Sequence, residues 1–177
     1  MTKARLATMW LDGCSGCHMS LLDLDEALIP ISQRVQIVYG PLVDPREYPE
    51  EVDVALVEGA VGTEEDIEKI RMVRERTRIL VALGDCAVTS NVAGMRNPFK
   101  LKDIFNRAYV ENADVNKNPP SDPALPVLLR HAVPLHDVVK VDLHVPGCPP
   151  SADTIGFVLT ELLEGRIPDL RTRTRFG

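Results

Sequence analysis

Four cysteines are the residues of this 177-residue chain with the most distinctive chemistry. Cys14 and Cys17 form a C-x-x-C pair, whereas Cys86 and Cys148 stand alone much further along the chain. Thiolates bind zinc and iron–sulfur clusters, and a close pair of thiols also performs disulfide exchange. In a reducing compartment such cysteines are better interpreted as metal or redox groups than as structural disulfides.

Spacing alone leaves three interpretations of these thiols open. A [4Fe–4S] cluster fits best, because it accommodates one close pair and two distant single ligands. A structural zinc ion bound by four cysteines more often uses two C-x-x-C pairs, and this chain has one. A thioredoxin-like dithiol at Cys14 and Cys17 would leave Cys86 and Cys148 unexplained.

Each cysteine group follows a segment that is predicted to be a strand. The strand over 4–11 precedes Cys14, the strand over 78–83 precedes Cys86, and the strand over 139–145 precedes Cys148. Two more strands are predicted over 34–39 and 52–57 from their β-branched and continuous apolar residues. Because parallel strands end at a common edge, where open α/β folds bind their ligands, all four thiols are expected to meet there.

Helices are predicted between these strands, over 19–28, 63–76 and 153–164. Thr63 is a candidate N-cap for the second of them, with acidic residues in its first turn. Alternating strands and helices predict an α/β fold, with a mostly parallel sheet and helices on both faces, as a single domain over 1–177. Residues 112–126 contain four prolines and are expected to form a surface loop. The basic tail over about 166–177 is either a solvated end or a docking segment.

The overall charge excludes some classes of function. Twenty basic and 26 acidic residues give a net charge of −6, which argues against binding to nucleic acid. No apolar run is long enough to span a membrane, and the N-terminal residues resemble no export signal, so a cytoplasmic location is expected. No phosphate-binding glycine motif is present, which argues against a nucleotide site.

Residues next to the cysteines are candidates for a supporting role. Gly13 and Gly16 would let backbone N–H groups approach an inorganic core. Glu58 either caps the turn before Thr63 or makes a contact near the metal site or the partner interface. His18 and His144 either donate to a cluster sulfur or are ordinary surface or core histidines.

Four motifs in order resemble the small subunits of [NiFe] hydrogenases. Residues 11–22 (LDGCSGCHMSLL) resemble their first cluster loop, and residues 57–61 (VEGAV) resemble their VEG motif. Residues 84–86 (GDC) and 146–150 (PGCPP) resemble the third and fourth ligand loops. The sequence over 18–26 is most similar to the small subunit of cytoplasmic NAD-reducing [NiFe] hydrogenases.

This resemblance implies a fold, a cofactor and partners. It implies a flavodoxin-like domain in which Cys14, Cys17, Cys86 and Cys148 bind one [4Fe–4S] cluster. It also implies a [NiFe] hydrogenase large subunit that carries the hydrogen chemistry. Electrons would pass to iron–sulfur and flavin subunits of a diaphorase module that reduces NAD. Because the four cysteines would all serve the cluster, no nickel site is expected in this chain.

Two departures from related proteins refine the resemblance. Periplasmic small subunits carry a twin-arginine signal and a second domain with two more clusters, and this chain shows neither. The related small subunit of respiratory complex I has adjacent cysteines in its first loop, whereas two residues separate Cys14 from Cys17. The spacing therefore favours a hydrogenase over a quinone reductase. The alternatives are a complex-I-like or ferredoxin-linked oxidoreductase small subunit and a zinc-stabilised assembly module without a redox role.

Overall fold

A five-stranded parallel sheet forms the centre of the computed structural model, which describes residues 3–115 and 117–176. The described strands are β1 (Ala4–Trp10), β2 (Val35–Tyr39), β3 (Val52–Glu58), β4 (Val61–Thr63), β5 (Thr77–Leu83), β6 (Leu128–Val133) and β7 (Leu143–Val145). The main sheet has the order β2-β1-β3-β5-β7, and every neighbouring pair in it is parallel. This is the flavodoxin-like order, so the predicted fold class is confirmed.

Alternating side chains of the central strands are buried on opposite faces of the sheet. On β3, Val54 and Leu56 pack with helical residues on one face, while Ala55 and Val57 pack into a second core on the other. All four are at most 7% exposed. A strand covered on both faces has no polar side, which explains the continuous apolar sequence that predicted it.

Helices cover both faces of the sheet. The α-helices are α1 (Gly16–Leu22), α2 (Leu28–Arg34), α3 (Glu64–Glu75), α4 (Asp85–Thr89), α5 (Asn91–Gly94), α6 (Leu101–Asn106) and α7 (Ala152–Leu163). Short 3₁₀ turns lie at Asp25–Ala27 and Leu135–Asp137, and a π turn lies at Arg107–Glu111. The Thr63 hydroxyl accepts the Asp66 N–H, and the Asp66 carboxylate accepts the Thr63 N–H. This reciprocal capping box confirms the predicted start of α3.

Two sequence predictions of secondary structure were wrong in extent, and one pair of strands was not predicted. The helix predicted over 19–28 is interrupted, because α1 ends at Leu22 and Asp25 adopts a positive φ of 47°. The strand predicted over 139–145 is reduced to β7. The antiparallel pair of β4 with β6 was not predicted, because each strand is short and pairs with a distant partner. In the described parts of 112–126 the chain forms no strand, as expected for a loop.

The described part of the basic tail packs against α7. Leu170 is 9% exposed and belongs to the core on that face. The Arg173 guanidinium lies 4.0 Å from the centre of the Phe157 ring, within the range of a cation–π contact. The tail is therefore anchored through Leu170 and Arg173. Among the described residues, no helix has the length and apolar character needed to cross a bilayer.

Candidate iron–sulfur centre

The four cysteines line one small cavity at the carboxyl edge of the sheet. Cys14, Cys17, Cys86 and Cys148 surround a space of about 80 Å³. All four are free thiols, with Cys14 and Cys148 exposed and Cys17 and Cys86 partly buried. The tertiary structure thus brings together the thiols that the sequence separates by up to 134 positions (148 − 14).

The thiols surround the cavity and do not gather at a single point. In the ranges 3–115 and 117–176, no three Cys, His, Asp or Glu side chains are grouped so that they could hold one metal ion. A zinc site needs its ligand atoms about 2.0–2.3 Å from one metal. A cluster, in contrast, has several irons that each take a cysteine. Four thiols arranged round a cavity could each bind a different iron of such a cluster.

The first cysteine loop is joined by backbone hydrogen bonds to the turn that follows β3. The Leu11 N–H donates to the Glu58 carbonyl at 3.0 Å, and Asp12 and Ala60 exchange two hydrogen bonds at 3.0 and 2.8 Å. Gly59 makes this approach feasible, since its φ is +90° and a Cβ there would lie 2.7 Å from the Leu11 carbonyl carbon. These contacts place Glu58 at the edge of the cavity.

Glycines form close contacts with the thiols themselves. A Cβ on Gly16 would lie 3.3 Å from the Cys14 sulfur, and a Cβ on Gly84 would collide with the Cys17 sulfur. Gly84 also has a φ of +84°, which side chains rarely adopt. Gly13, which lines the same cavity, would meet the Gly59 Cα at 3.0 Å. A Cβ at any of these positions would therefore press on a cysteine sulfur or on the backbone next to the cavity.

The third and fourth cysteine loops are joined through an aspartate. The Gly147 N–H donates to the Asp85 carboxylate at 2.6 Å, and the Asp85 N–H donates to the Gly147 carbonyl at 2.9 Å. A third bond, from the Gly84 N–H to the Val145 carbonyl at 2.8 Å, continues the pairing of β5 with β7. The positions of Cys86 and Cys148 are therefore coupled by contacts between the residues that directly precede them.

Ser20 connects the first loop to the fourth. Its hydroxyl is buried on α1 and donates to the Pro150 carbonyl at 2.5 Å. Because α1 also carries Cys17 and Pro150 follows Cys148 by two residues, this bond fixes the two loops relative to each other. Sequence analysis did not identify Ser20 as a site residue, although it lies within the motif over 11–22.

Glu58 and His18 form a buried pair behind the cysteines. Glu58 is 2% exposed, and its Oε2 accepts the His18 backbone N–H at 2.7 Å. The His18 Nδ1 lies 2.9 Å from the same oxygen, but not in hydrogen-bond geometry, and the His18 Nε2 is also buried without a described partner. The carboxylate therefore fixes the backbone at the residue that directly follows Cys17.

The thiols influence one another electrostatically. Burial raises the pKa of Cys17 strongly, and Glu58 and the other three cysteines raise the pKa further. Burial also raises the pKa of Cys86, although the N–H groups of Val92 and Ala93, which bond its sulfur, oppose that effect. Ionising Cys17 and Cys86 is therefore unfavourable unless positive charge occupies the cavity.

One further donor to sulfur was not predicted from the sequence. The Asn91 side-chain amide donates to the Cys148 sulfur at 3.4 Å. No sequence signal identifies Asn91 for this role, because it lies five residues after Cys86 and 57 residues before its partner. The structure brings it there through the short helices α4 and α5.

His144, which the sequence analysis considered, and Trp10 both lie outside the cavity. His144 is exposed and packs edge-on against His136, with ring centres 5.6 Å apart. Burial and the neighbouring His136 lower the pKa of His144. Its proposed contact with a cluster sulfur is therefore not supported, since His144 does not line the cavity. Trp10 is 48% exposed, and its indole N–H donates to the Gly13 carbonyl at 3.1 Å.

A flavodoxin-like domain with four thiols at the carboxyl edge of its sheet defines the class of hydrogenase and complex I small subunits. The family model described as "NADH ubiquinone oxidoreductase, 20 Kd subunit" matches residues 14–162. The chain therefore belongs to this family. The match begins at Cys14 and includes all four cysteines.

Subunits of known hydrogenases resemble the chain over nearly its whole length. The delta subunit of the NAD-reducing hydrogenase HoxS from Cupriavidus necator is 41% identical over 95% of this chain and 82% of that protein. One subunit of the F420-non-reducing hydrogenase vhu from Methanocaldococcus jannaschii is 38% identical over 96% of this chain, but this chain spans 59% of its length. The resemblance to hydrogenase small subunits is confirmed.

A solved structure agrees with the fold and the sequence similarity. A chain in the crystal structure of an NAD⁺-reducing [NiFe]-hydrogenase in the H₂-reduced state matches with a TM-score of 0.95 and 38% identity. The match covers 99% of this chain and all of the other. Together with the similarity to the hydrogenase subunits above, this match shows that the chain is a subunit of a hydrogenase-type oxidoreductase.

Proposed function

We propose that this chain is the electron-transfer small subunit of a cytoplasmic NAD-linked [NiFe] hydrogenase, and that it holds one [4Fe–4S] cluster. The observation that carries the proposal is the convergence of Cys14, Cys17, Cys86 and Cys148 on one cavity. When bound, such a cluster supplies reversible one-electron storage, with a potential that depends on hydrogen bonds, charge and burial.

The surroundings of the thiols support a positively charged metal core. The cavity collects four groups that become anionic on metal binding, and the buried Glu58 adds a further carboxyl next to Cys17. Among the described residues, no Lys or Arg lines this cavity. Iron ions would supply the positive charge that lets these thiols ionise together, which is the usual coupling of metal binding to proton release.

The remaining residues of the site maintain its shape. Gly16 and Gly84 keep space open next to the sulfurs, and the Asp85 carboxylate holds the loop of Cys148 against the loop of Cys86. Cys14 and Cys148 are exposed in this chain, so the cavity lies near the surface. That placement suits electron exchange with neighbouring subunits.

The partners are proposed from the relatives. One relative is named as a subunit of an NAD-reducing hydrogenase, and the matching crystal structure is described as an NAD⁺-reducing [NiFe]-hydrogenase. We infer that a separate large subunit holds the nickel and iron, because this chain has no cysteine beyond the four at the cavity. Iron–sulfur and flavin subunits of a diaphorase module would accept the electrons and reduce NAD.

Metal analysis of the native complex tests this proposal. The complex is purified without oxygen, and iron, acid-labile sulfide, zinc and nickel are measured together with EPR spectra after reduction. A Cys86→Ser variant should lower the iron and sulfide by about four each per complex, the content of one such cluster. Thr89→Ser, on the same helix α4 but exposed and outside the cavity, is the matched control and should leave the metal content unchanged.

The alternatives give different results in the same experiment. A zinc-stabilised module would contain about one zinc for this chain and no associated sulfide. If the cluster is reduced by hydrogen only in the presence of a nickel-bearing partner, the hydrogenase assignment is supported. A cluster that stays oxidised under hydrogen even with that partner present, but is reduced by reduced ferredoxin, would point to another ferredoxin-linked oxidoreductase.

A further inference from the structure

The segment that follows Cys86 bends round the cavity and directs three N–H groups at two sulfurs. The Asn91 side-chain amide donates to Cys148 at 3.4 Å, and the backbone N–H groups of Val92 and Ala93 donate to Cys86. A metal-bound thiolate can accept hydrogen bonds but cannot donate them. Asn91 must therefore present its Nδ2 group, and not its oxygen, to Cys148 when a metal is bound.

The backbone adopts an unfavourable conformation to place Asn91. Ser90 and Asn91 both have positive φ values, 67° and 23°, and neither is glycine. Asparagine tolerates this region better than most residues, but two consecutive residues there are uncommon. The turn is fixed by hydrogen bonds from the Ser90 N–H to the Cys86 carbonyl at 3.0 Å and from the Gly94 N–H to the Ser90 carbonyl at 2.9 Å. Such strain is commonly found where a side chain is held for function.

Asn91 is the one side chain among these three donors. The backbone donors at Val92 and Ala93 persist whatever residues occupy those positions, whereas the bond to Cys148 depends on the amide of Asn91. Cys148 is also one of the two exposed cysteines of the cavity. Changing Asn91 therefore alters the electrostatics at one exposed ligand and leaves the four thiols in place.

We propose that Asn91 raises the reduction potential of the cluster by donating a hydrogen bond to Cys148. The inference depends on the proposed function, because it needs a cluster in the cavity. The donated N–H stabilises negative charge on the sulfur, and the reduced cluster carries one negative charge more than the oxidised cluster. The bond therefore favours the reduced form. Asn91 acts through Cys148 and is thus a positioning and tuning residue.

The test compares three variants in the intact complex by EPR-monitored redox titration. Asn91→Gly removes the donor and accepts the positive φ without strain. Asn91→Asp keeps the shape but replaces the donor with a carboxylate. Ser90→Gly is the matched control, because it relaxes the neighbouring positive φ and leaves the Asn91 amide unchanged. Iron and sulfide are measured for each variant, so that loss of the cluster is distinguished from a change in its potential.

The expected result is a lower midpoint potential in both Asn91 variants, with the larger decrease in Asn91→Asp. The ratio of reduced to oxidised cluster at a fixed potential should fall by up to about tenfold in Asn91→Gly, which corresponds to about 59 mV for a one-electron couple. Ser90→Gly should titrate like the natural protein. Unchanged midpoint potentials in both Asn91 variants at full iron content would overturn the role of Asn91 but not the proposed function. A decrease of the midpoint potential in Ser90→Gly equal to that in the Asn91 variants would do the same. A natural complex without iron and sulfide in this chain would overturn the proposed function as well.

Discussion

Asp85 and Gly147 exchange two hydrogen bonds, one through the Asp85 carboxylate and one through its backbone N–H. Each residue directly precedes a cysteine of the cavity, Cys86 or Cys148. The two residues lie 62 positions apart in the sequence and meet because β5 and β7 are neighbours. The spacing of two thiols therefore depends on one carboxylate that is itself 4% exposed.

Replacing Asp85 should loosen the pair of loops. Asp85→Ala leaves the Gly147 N–H buried without its acceptor, which costs about 1–3 kcal/mol of stability. We expect a lower thermal midpoint of this chain in the complex and a faster loss of iron to a chelator. Asp85→Asn, which retains an acceptor oxygen, should show smaller effects. Equal behaviour of Asp85→Ala and the natural protein would contradict the role assigned to the carboxylate.

Replacing Gly84 should prevent normal occupation of the site. In Gly84→Ala the new methyl group would collide with the Cys17 sulfur at a φ of +84°. Gly165→Ala is a matched control, since Gly165 has a φ of +73° but no atom within 4 Å of its added Cβ. Gly84→Ala carries backbone strain of about 1–3 kcal/mol, because its φ of 84° and ψ of 162° lie in a region that is essentially restricted to glycine, and Gly165→Ala carries strain from its positive φ as well. Iron content per complex should fall in Gly84→Ala and remain normal in Gly165→Ala, and a similar loss in both would show that strain alone is responsible.

Glu58 should stabilise the first cysteine loop through the backbone of His18. Glu58→Ala removes the acceptor of the His18 N–H and empties a position that is 2% exposed. We expect a loss of about 1–3 kcal/mol, measured by denaturant unfolding of this chain. Glu58→Gln keeps an acceptor and should lose less stability. If Glu58→Gln destabilises the chain as much as Glu58→Ala, the stability comes from the negative charge of Glu58 and not from the hydrogen bond to His18.

Asp142 should make the stability of the chain depend on acidic pH. Burial alone would raise the pKa of Asp142, but the Leu80 N–H and the Arg74 guanidinium outweigh it and lower the pKa. These donors lie 2.9 and 2.6 Å from its Oδ2. A carboxyl with a lowered folded pKa contributes stability above its unfolded pKa, near 3.8, and this is lost as the pH falls through the folded pKa.

The variant that tests this dependence is Asp142→Asn. Its free energy of unfolding is compared with that of the natural chain from pH 7 down to below the folded pKa of Asp142. At pH 7 the variant should be less stable by about 1 kcal/mol, and the difference should vanish below the folded pKa. Asp169→Asn is the control, because Arg171 lowers the pKa of Asp169 to about 2 on a fully exposed surface, where solvent screens the pair. A pH-independent difference for Asp142→Asn would contradict ionisation as the cause.

The main sheet and the cysteine loops were predictable because their signals are local. The apolar runs that became β3 and β5 are continuous, and each cysteine group directly follows a strand. The capping residues at the start of α3 lie within three positions of each other, so that boundary was predicted as well. The interruption after α1 was not predicted, because an apolar and acidic sequence gives no clear sign that Asp25 adopts a positive φ.

The amino-acid sequence by itself determined which groups supply the chemistry of this protein. It determined the thiols, the strand ends that carry them and the glycines beside them, because these depend on residue type and on neighbours within a few positions. Only the tertiary structure decided which polar groups support the thiols. Asp85 reaches Gly147, Ser20 reaches Pro150 and Asn91 reaches Cys148 across 57 to 130 positions. Hydrogen bonds of this kind depend on distance and direction in space, which the order of residues along the chain does not record.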